Sequence, residues 1–180
     1  MKRIVAFAGS NSSKSINMQL VNYVLSQLDS DQYEIERLDL NDFEMPIYSI
    51  DREKEHGIPE KAHQFREHFS NSDAIICSMA EHNNSYTVAF KNILDWSSRI
   101  DLNIFAGKKM LLMSASPGGY GGGNVMKAAS SFFPKCDAEV VDTFSLPKFY
   151  NNFKDGKITN EEFDSELKNK IKGFENSLHE

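Results

Sequence analysis

Arg3 to Asn17 reads RIVAFAGSNSSKSIN, and this stretch decides the fold. RIVAFA is nearly unbroken apolar and β-branched sequence ending at Gly9, as expected of a parallel strand covered on both faces. Beyond the polar GSNSSKS, residues Ile16, Leu20, Val21, Val24, Leu25 and Leu28 recur at three-and-four spacing, which predicts a helix capped by Ser15 or its neighbours. The opening unit is therefore strand, polar loop, helix.

The same unit recurs along the chain. Asp73–Met79 (DAIICSM) is a buried-strand run, followed by polar AEHNNS and a helical pattern through Val88, Phe90, Ile93, Leu94, Trp96 and Ile100. Lys108–Ala115 (KKMLLMSA) is another strand, followed by SPGGYGGG and a helix over Val125–Phe132. Tyr33–Leu40 and Ala138–Phe144 supply two further strands, and Glu60–Phe69 a helix. Thr159–Leu178 reads as a terminal helix with a capping box from Thr159 to Glu162. The stretch from Pro46 through Ile58 has no clear period and is expected to be loop. Five strands alternating with helices predict an α/β fold, a doubly wound parallel sheet with helices on both faces.

Length and composition bound the answer. A chain of 180 residues suits one well-buried core, so a single domain over 1–180 is expected. A hydrophobic fraction of 40% and a charged fraction of 26% are those of a globular protein. The net charge of -6 argues against a nucleic-acid partner, since phosphate-backbone binders gather Lys and Arg. Cys77 and Cys136 form no CxxC and have no His at ligand spacing, so no metal site is expected. The apolar run after MKR is too short for a signal peptide, and no later segment is long enough to span a membrane. A cytoplasmic location with reduced thiols and no membrane partner is expected.

In an open parallel sheet, ligands bind beyond the carboxyl ends of the strands. Three loops meet there: Gly9–Asn17, Ala80–Ser85 and Ser116–Gly123. In the first, Ser10, Ser12, Ser13 and Ser15 offer hydroxyls at a helix N-terminus, with Lys14 beside them. Such residues also cap helices and make turns, but four hydroxyls and a cation exceed that need and suit a phosphate. Neither GxxxxGK[ST] nor GxGxxG is present, which removes support for ATP and for Rossmann-type NAD binding.

The three loops together resemble the NAD(P)H-dependent FMN reductase family, flavodoxin-like proteins that include azo, quinone and chromate reductases. The family pattern is a GS-x-R-x-x-S-x-N loop, a PEYN-like loop followed by LKNAIDW, and S-x-S-P-G-x-x-GG. Here these stand as GSNSSKSIN, AEHNNSYTVAFKNILDW and SASPGGYGG, in the same order from residue 3 to about 125. Ser12 replaces the family's Arg, which removes a bidentate phosphate donor. Ala80 and His82 stand where Pro and Tyr are usual.

The resemblance implies a flavodoxin-like, FMN-dependent oxidoreductase that takes electrons from NADPH or NADH and passes them to a small-molecule acceptor. That acceptor would be a quinone, azo compound, free flavin or metal oxyanion. It further implies that Ser10, Ser12, Ser15 and Asn17, with the Ile16 amide, hold the FMN phosphate. Ala80, Glu81, His82 and Asn83 would lie beside the flavin ring, and Ser116, Pro117, Gly118 and Gly119 would close the other side. His82 is read equally as a flavin contact or a solvated loop histidine, and Glu81 as a structural carboxylate. No side chain is assigned a catalytic role, because the flavin carries the electron chemistry. Asp95, Trp96 and Arg99 become candidate contacts of a homodimer or homotetramer, although a helical Trp is ordinarily core. The alternatives are a flavodoxin-type electron carrier, disfavoured because T/S-x-T-G-x-T is absent, and a flavin-binding sensor without efficient turnover.

Overall fold

The computed structural model describes residues 1–180. In chain order the elements are β1 Lys2–Ala8, α1 Ile16–Gln27, β2 Tyr33–Leu38, α2 Ile50–His56, α3 Glu60–Ser70 and β3 Ala74–Met79. There follow β4 Glu81–His82, β5 Ser85–Tyr86, α4 Val88–Ile100, β6 Lys108–Ala115, α5 Gly123–Phe132 and β7 Ala138–Leu146. The chain continues through α6 Phe149–Asn152, β8 Phe153–Lys154, β9 Lys157–Ile158 and α7 Glu161–Ser177.

Strands β2-β1-β3-β6-β7 form one five-stranded sheet in that order, with every neighbouring pair parallel. The order reverses at β1/β3, which places the ligand edge between the loops that follow those strands. Two-residue alternation sorts the strand side chains between the faces. Ile4, Ala6, Ile76, Leu111 and Met113 pack with Leu20, Val24, Leu167 and Ile171 of α1 and α7 on one face. Val5, Phe7, Ile75, Met110 and Leu112 pack with Phe65, Phe69, Phe90 and Val125 of α3, α4 and α5 on the other. The doubly wound α/β expectation holds, flavodoxin-like in strand order. Cys77 and Cys136 are free and buried, as small core residues.

Four local readings need correction. The 46–58 stretch contains α2, an exposed single-sided helix whose Ser49 side chain accepts from the Arg52 amide; no residue of α2 is buried, so it leaves no apolar period to read. AEHNNS is a tight hairpin, β4 pairing antiparallel with β5. Its Asn83 and Asn84 have φ of 49° and 62°, the two left-handed positions of a two-residue turn. The terminal helix is capped by Asn160, whose side chain accepts from the Glu162 and Phe163 amides, while the Thr159 amide bonds Asn152 O at 2.8 Å. Finally, β2 ends at Leu38 because Asp39 turns the chain into a 3₁₀ segment.

Candidate active site

Ser12 N–H donates to Ser10 Oγ at 3.2 Å, Lys14 N–H to Ser12 Oγ at 3.3 Å and Met18 N–H to Ser15 Oγ at 3.2 Å. Each hydroxyl oxygen is thereby used as an acceptor, which leaves its O–H proton to donate outward. The amides of Ile16 and Asn17 lie in the first turn of α1, where no intrahelical acceptor exists. Hydroxyl donors, free amides and the positive helix end form a donor set that suits a phosphate.

Asn17 has a different part. It is only 2% exposed; its Nδ2 donates to Ala115 O at 3.2 Å, while its Oδ1 accepts from Ser78 Oγ at 2.7 Å and the Ala115 amide at 2.8 Å. The side chain therefore ties the start of α1 to the ends of β3 and β6. Beneath the loop, Thr87 Oγ1 donates to Gly9 O at 2.8 Å and accepts from the Phe90 amide at 3.2 Å. One buried hydroxyl thus caps α4 and fixes the end of β1.

The second and third loops are joined just as directly. Helix α5 starts at Gly122 without a side-chain cap of its own. Glu81 Oε2 fills that role from the hairpin, accepting from the Val125 amide at 2.7 Å; Asn124 Nδ2 adds a bond to Asn84 Oδ1 at 3.0 Å. The expectation of a structural carboxylate matches this geometry. Ser114 Oγ donates to Gly121 O at 2.6 Å. At Gly122, φ is 78° and a Cβ would lie 3.0 Å from that of Ser114, so the fold itself requires glycine there. A Cβ on Gly118 would meet nothing within 4 Å, so packing within the chain places no such demand at that position.

These loops enclose a cleft of about 210 Å³ lined by Ser10, Ser12, Ser15, Ile16, Asn17, Ala80, Glu81, His82, Ser116 and Pro117. Asn83, Gly118 and Gly119 lie outside the lining: Asn83 is at the hairpin tip, and the two glycines sit further along the third loop. Lys14, Ala115 and Tyr150 complete the wall. Tyr150 carried no signal in the sequence. It lies beyond the three motifs and reaches the cleft because the Lys148 amide bonds Gly118 O at 2.8 Å and the Phe149 amide bonds Ser116 O at 3.0 Å. His82 also borders an adjoining cleft of about 280 Å³, whose walls include Asn11, Leu40, Phe43, Met45 and Val88. One cleft offers phosphate donors and the other apolar walls, a combination that fits an FMN-sized ligand.

Tyr86 stacks on Phe133 at 6.2 Å and 7°, and burial pushes its phenol up to about 12. Burial likewise raises the Cys136 thiol to about 11 and pushes the Cys77 thiol up, so neither is a thiolate nucleophile at neutral pH. Trp96 is 1% exposed and donates to Pro46 O at 2.7 Å, so it belongs to this chain's core rather than to a contact with another copy. Arg99 pairs with Glu53 at 2.8 Å and Lys91 with Asp95 at 2.7 Å.

Comparison with known proteins accords with this geometry. The family model described as NADPH-dependent FMN reductase matches residues 2–151, and the chain belongs to that family. The chain is 27% identical over 115 residues to the quinone reductase of Escherichia coli strain K12, an alignment covering 64% of this chain and 60% of that protein. It thus spans about three-fifths of the length of that relative. Against the NAD(P)H:quinone oxidoreductase of Solanum tuberosum it is 27% identical over 177 residues, 92% of this chain and 87% of the relative. Among solved structures, the flavoenzyme NAD(P)H:(acceptor) oxidoreductase FerB from Paracoccus denitrificans superposes with a TM-score of 0.74 at 22% identity, covering 99% of this chain and 98% of that one. That likeness establishes the shared fold.

Proposed function

We propose that this member of the NADPH-dependent FMN reductase family binds FMN as a single domain over residues 1–180 and passes electrons from NADPH or NADH to a small acceptor, a quinone or azo compound foremost. The carrying observation is the cleft in which three hydroxyls with free protons face two uncommitted amides at the start of α1, with Lys14 alongside. When bound there, FMN supplies the hydride and electron chemistry. Ser10, Ser12, Ser15 and the amides of Ile16 and Asn17 hold its phosphate. The hairpin segment Ala80–His82 and Ser116–Pro117 shelve the ring, and the Glu81 bond to Val125 keeps that shelf from swinging. The named curated relatives are a quinone reductase and an NAD(P)H:quinone oxidoreductase, which supports the acceptor class.

A homodimer is part of the reading. Ile47 and Val88 are 64% and 70% exposed and line a common cleft edge. A second copy seated on this face would remove both from water and roof the ring. No helix is long and apolar enough to cross a membrane. Both cysteines are free thiols, which supports work in a reducing compartment such as the cytoplasm.

The test is a visible spectrum of the protein with FMN, followed anaerobically on adding NADPH. Bound-flavin absorbance that bleaches, and recovers on adding a quinone, is the expected result. Failure to bind FMN overturns the reading, and binding without bleaching points instead to an electron carrier or sensor.

A further inference from the structure

The first loop lacks the family's arginine, and the structure shows another one beside it. Position 12 is a serine, so the loop's own cation is Lys14 alone. On the side of the loop away from the hairpin lies a cleft of about 340 Å³. Ser10, Ser12, Ser13, Lys14 and Ser15 line it, and so does Arg37 near the end of β2. Four of those residues, Ser10, Ser12, Lys14 and Ser15, also line the cleft assigned to FMN. The hydroxyl loop is therefore shared by the two clefts, and Arg37 borders it in the second.

Arg37 differs from the chain's other arginines. Arg3 pairs with Glu36 at 3.0 Å, Arg66 with Asp101 at 3.9 Å and Arg99 with Glu53 at 2.8 Å, while Arg52 donates to the Ile47 carbonyl. Arg37 has neither an ion pair nor a carbonyl; its Nε donates to Asn22 Oδ1 at 3.2 Å. That bond holds the side chain beside α1 and leaves the two terminal nitrogens unengaged. Asp39 borders the same cleft, but its Oδ1 accepts from Asn41 N at 2.9 Å and Asn41 Nδ2 at 2.8 Å and makes no ion pair with Arg37. A guanidinium without a counter-ion, next to a loop of free hydroxyl donors, is placed to receive a dianion.

We propose that Arg37 delivers from β2 the guanidinium that position 12 lacks, making it the phosphate-recognising cation of the flavin site together with Lys14. This rests on the FMN reading above. The arrangement moves the charge from the loop to the neighbouring strand and keeps phosphate selectivity without a bulky side chain at position 12.

The test titrates flavin-free protein with FMN and with riboflavin, which lacks the phosphate, following flavin fluorescence at low and high salt. Because Arg37 is exposed, Arg37→Ala is expected to fold with an unchanged melting temperature. FMN affinity should fall about tenfold or more, with a shallower salt dependence, while riboflavin affinity stays as in the wild type. Adding Ser12→Arg to Arg37→Ala should restore FMN binding. Wild-type protein that binds no FMN sinks the underlying reading. Wild-type protein that binds, with Arg37→Ala binding FMN equally well or losing riboflavin in parallel, sinks the assignment to Arg37; absence of rescue by Ser12→Arg sinks the claim of replacement.

Discussion

The hydroxyl loop at Gly9–Asn17 and the hairpin at Glu81–Tyr86 face each other across one cleft, yet they are built on opposite plans. The loop carries its own chemistry, because Ser10, Ser12 and Ser15 each accept from a nearby amide and keep an O–H proton free to donate. The hairpin has little chemistry of its own and is useful because it is fixed, by Glu81 to α5 and by an Asn84–Asn124 bond. A loop that binds through local donors tolerates single losses, whereas a shelf held by a few remote ties does not.

The largest expected effect breaks the contrast at its shared support. Asn17→Ala would leave the buried Ser78 hydroxyl and Ala115 amide without their acceptor. Stability should fall by roughly 2–5 kcal/mol, with FMN affinity lost in proportion to the distortion. Denaturant unfolding with and without FMN checks this; a loss under about 1 kcal/mol would mean water replaces the amide.

Next comes Glu81→Ala, which removes the only side-chain acceptor at the start of α5. A loss of about 1–2 kcal/mol is expected, with weaker binding of FMN and riboflavin alike, as the proposed seat of the ring against this hairpin requires. Glu81→Gln retains an acceptor and should recover much of the loss. Equal defects in both variants would assign the effect to charge rather than to the hydrogen bond.

The smallest effect sharpens the contrast. Asn84→Ala puts a methyl side chain at φ 62° and deletes the exposed bond to Asn124, for about 1 kcal/mol. Asn84→Gly relieves the backbone and should lie close to wild type in thermal unfolding. If the glycine variant is as damaged as the alanine variant, the tie to Asn124 outweighs the turn.

Much of this was legible in the chain itself. Continuous apolar runs at RIVAFA, DAIICSM and KKMLLMSA marked the central strands because both faces of a parallel sheet are buried, a condition with no alternating exception to blur it. Helix α2 was missed because it buries nothing, so no apolar period exists to find. Thr159 and Asn160 are both of capping type, so residue chemistry alone does not choose between them; the Asn160 side chain accepts from the Glu162 and Phe163 amides, while the Thr159 amide is spent on Asn152.

The sequence by itself determined the order of strands and helices, the hydroxyl-rich start of α1 and the three loops that share one edge, since periodicity and residue chemistry are local. Only the tertiary structure decided that Asn17 ties strands together, that Glu81 caps a helix more than 40 residues away, that Tyr150 lines the cleft and that Arg37 borders the neighbouring one. Those roles depend on which segments the sheet order β2-β1-β3-β6-β7 brings side by side. Hydrogen bonds and uncompensated charges act over a few ångströms of space, and separation along the chain does not record that distance.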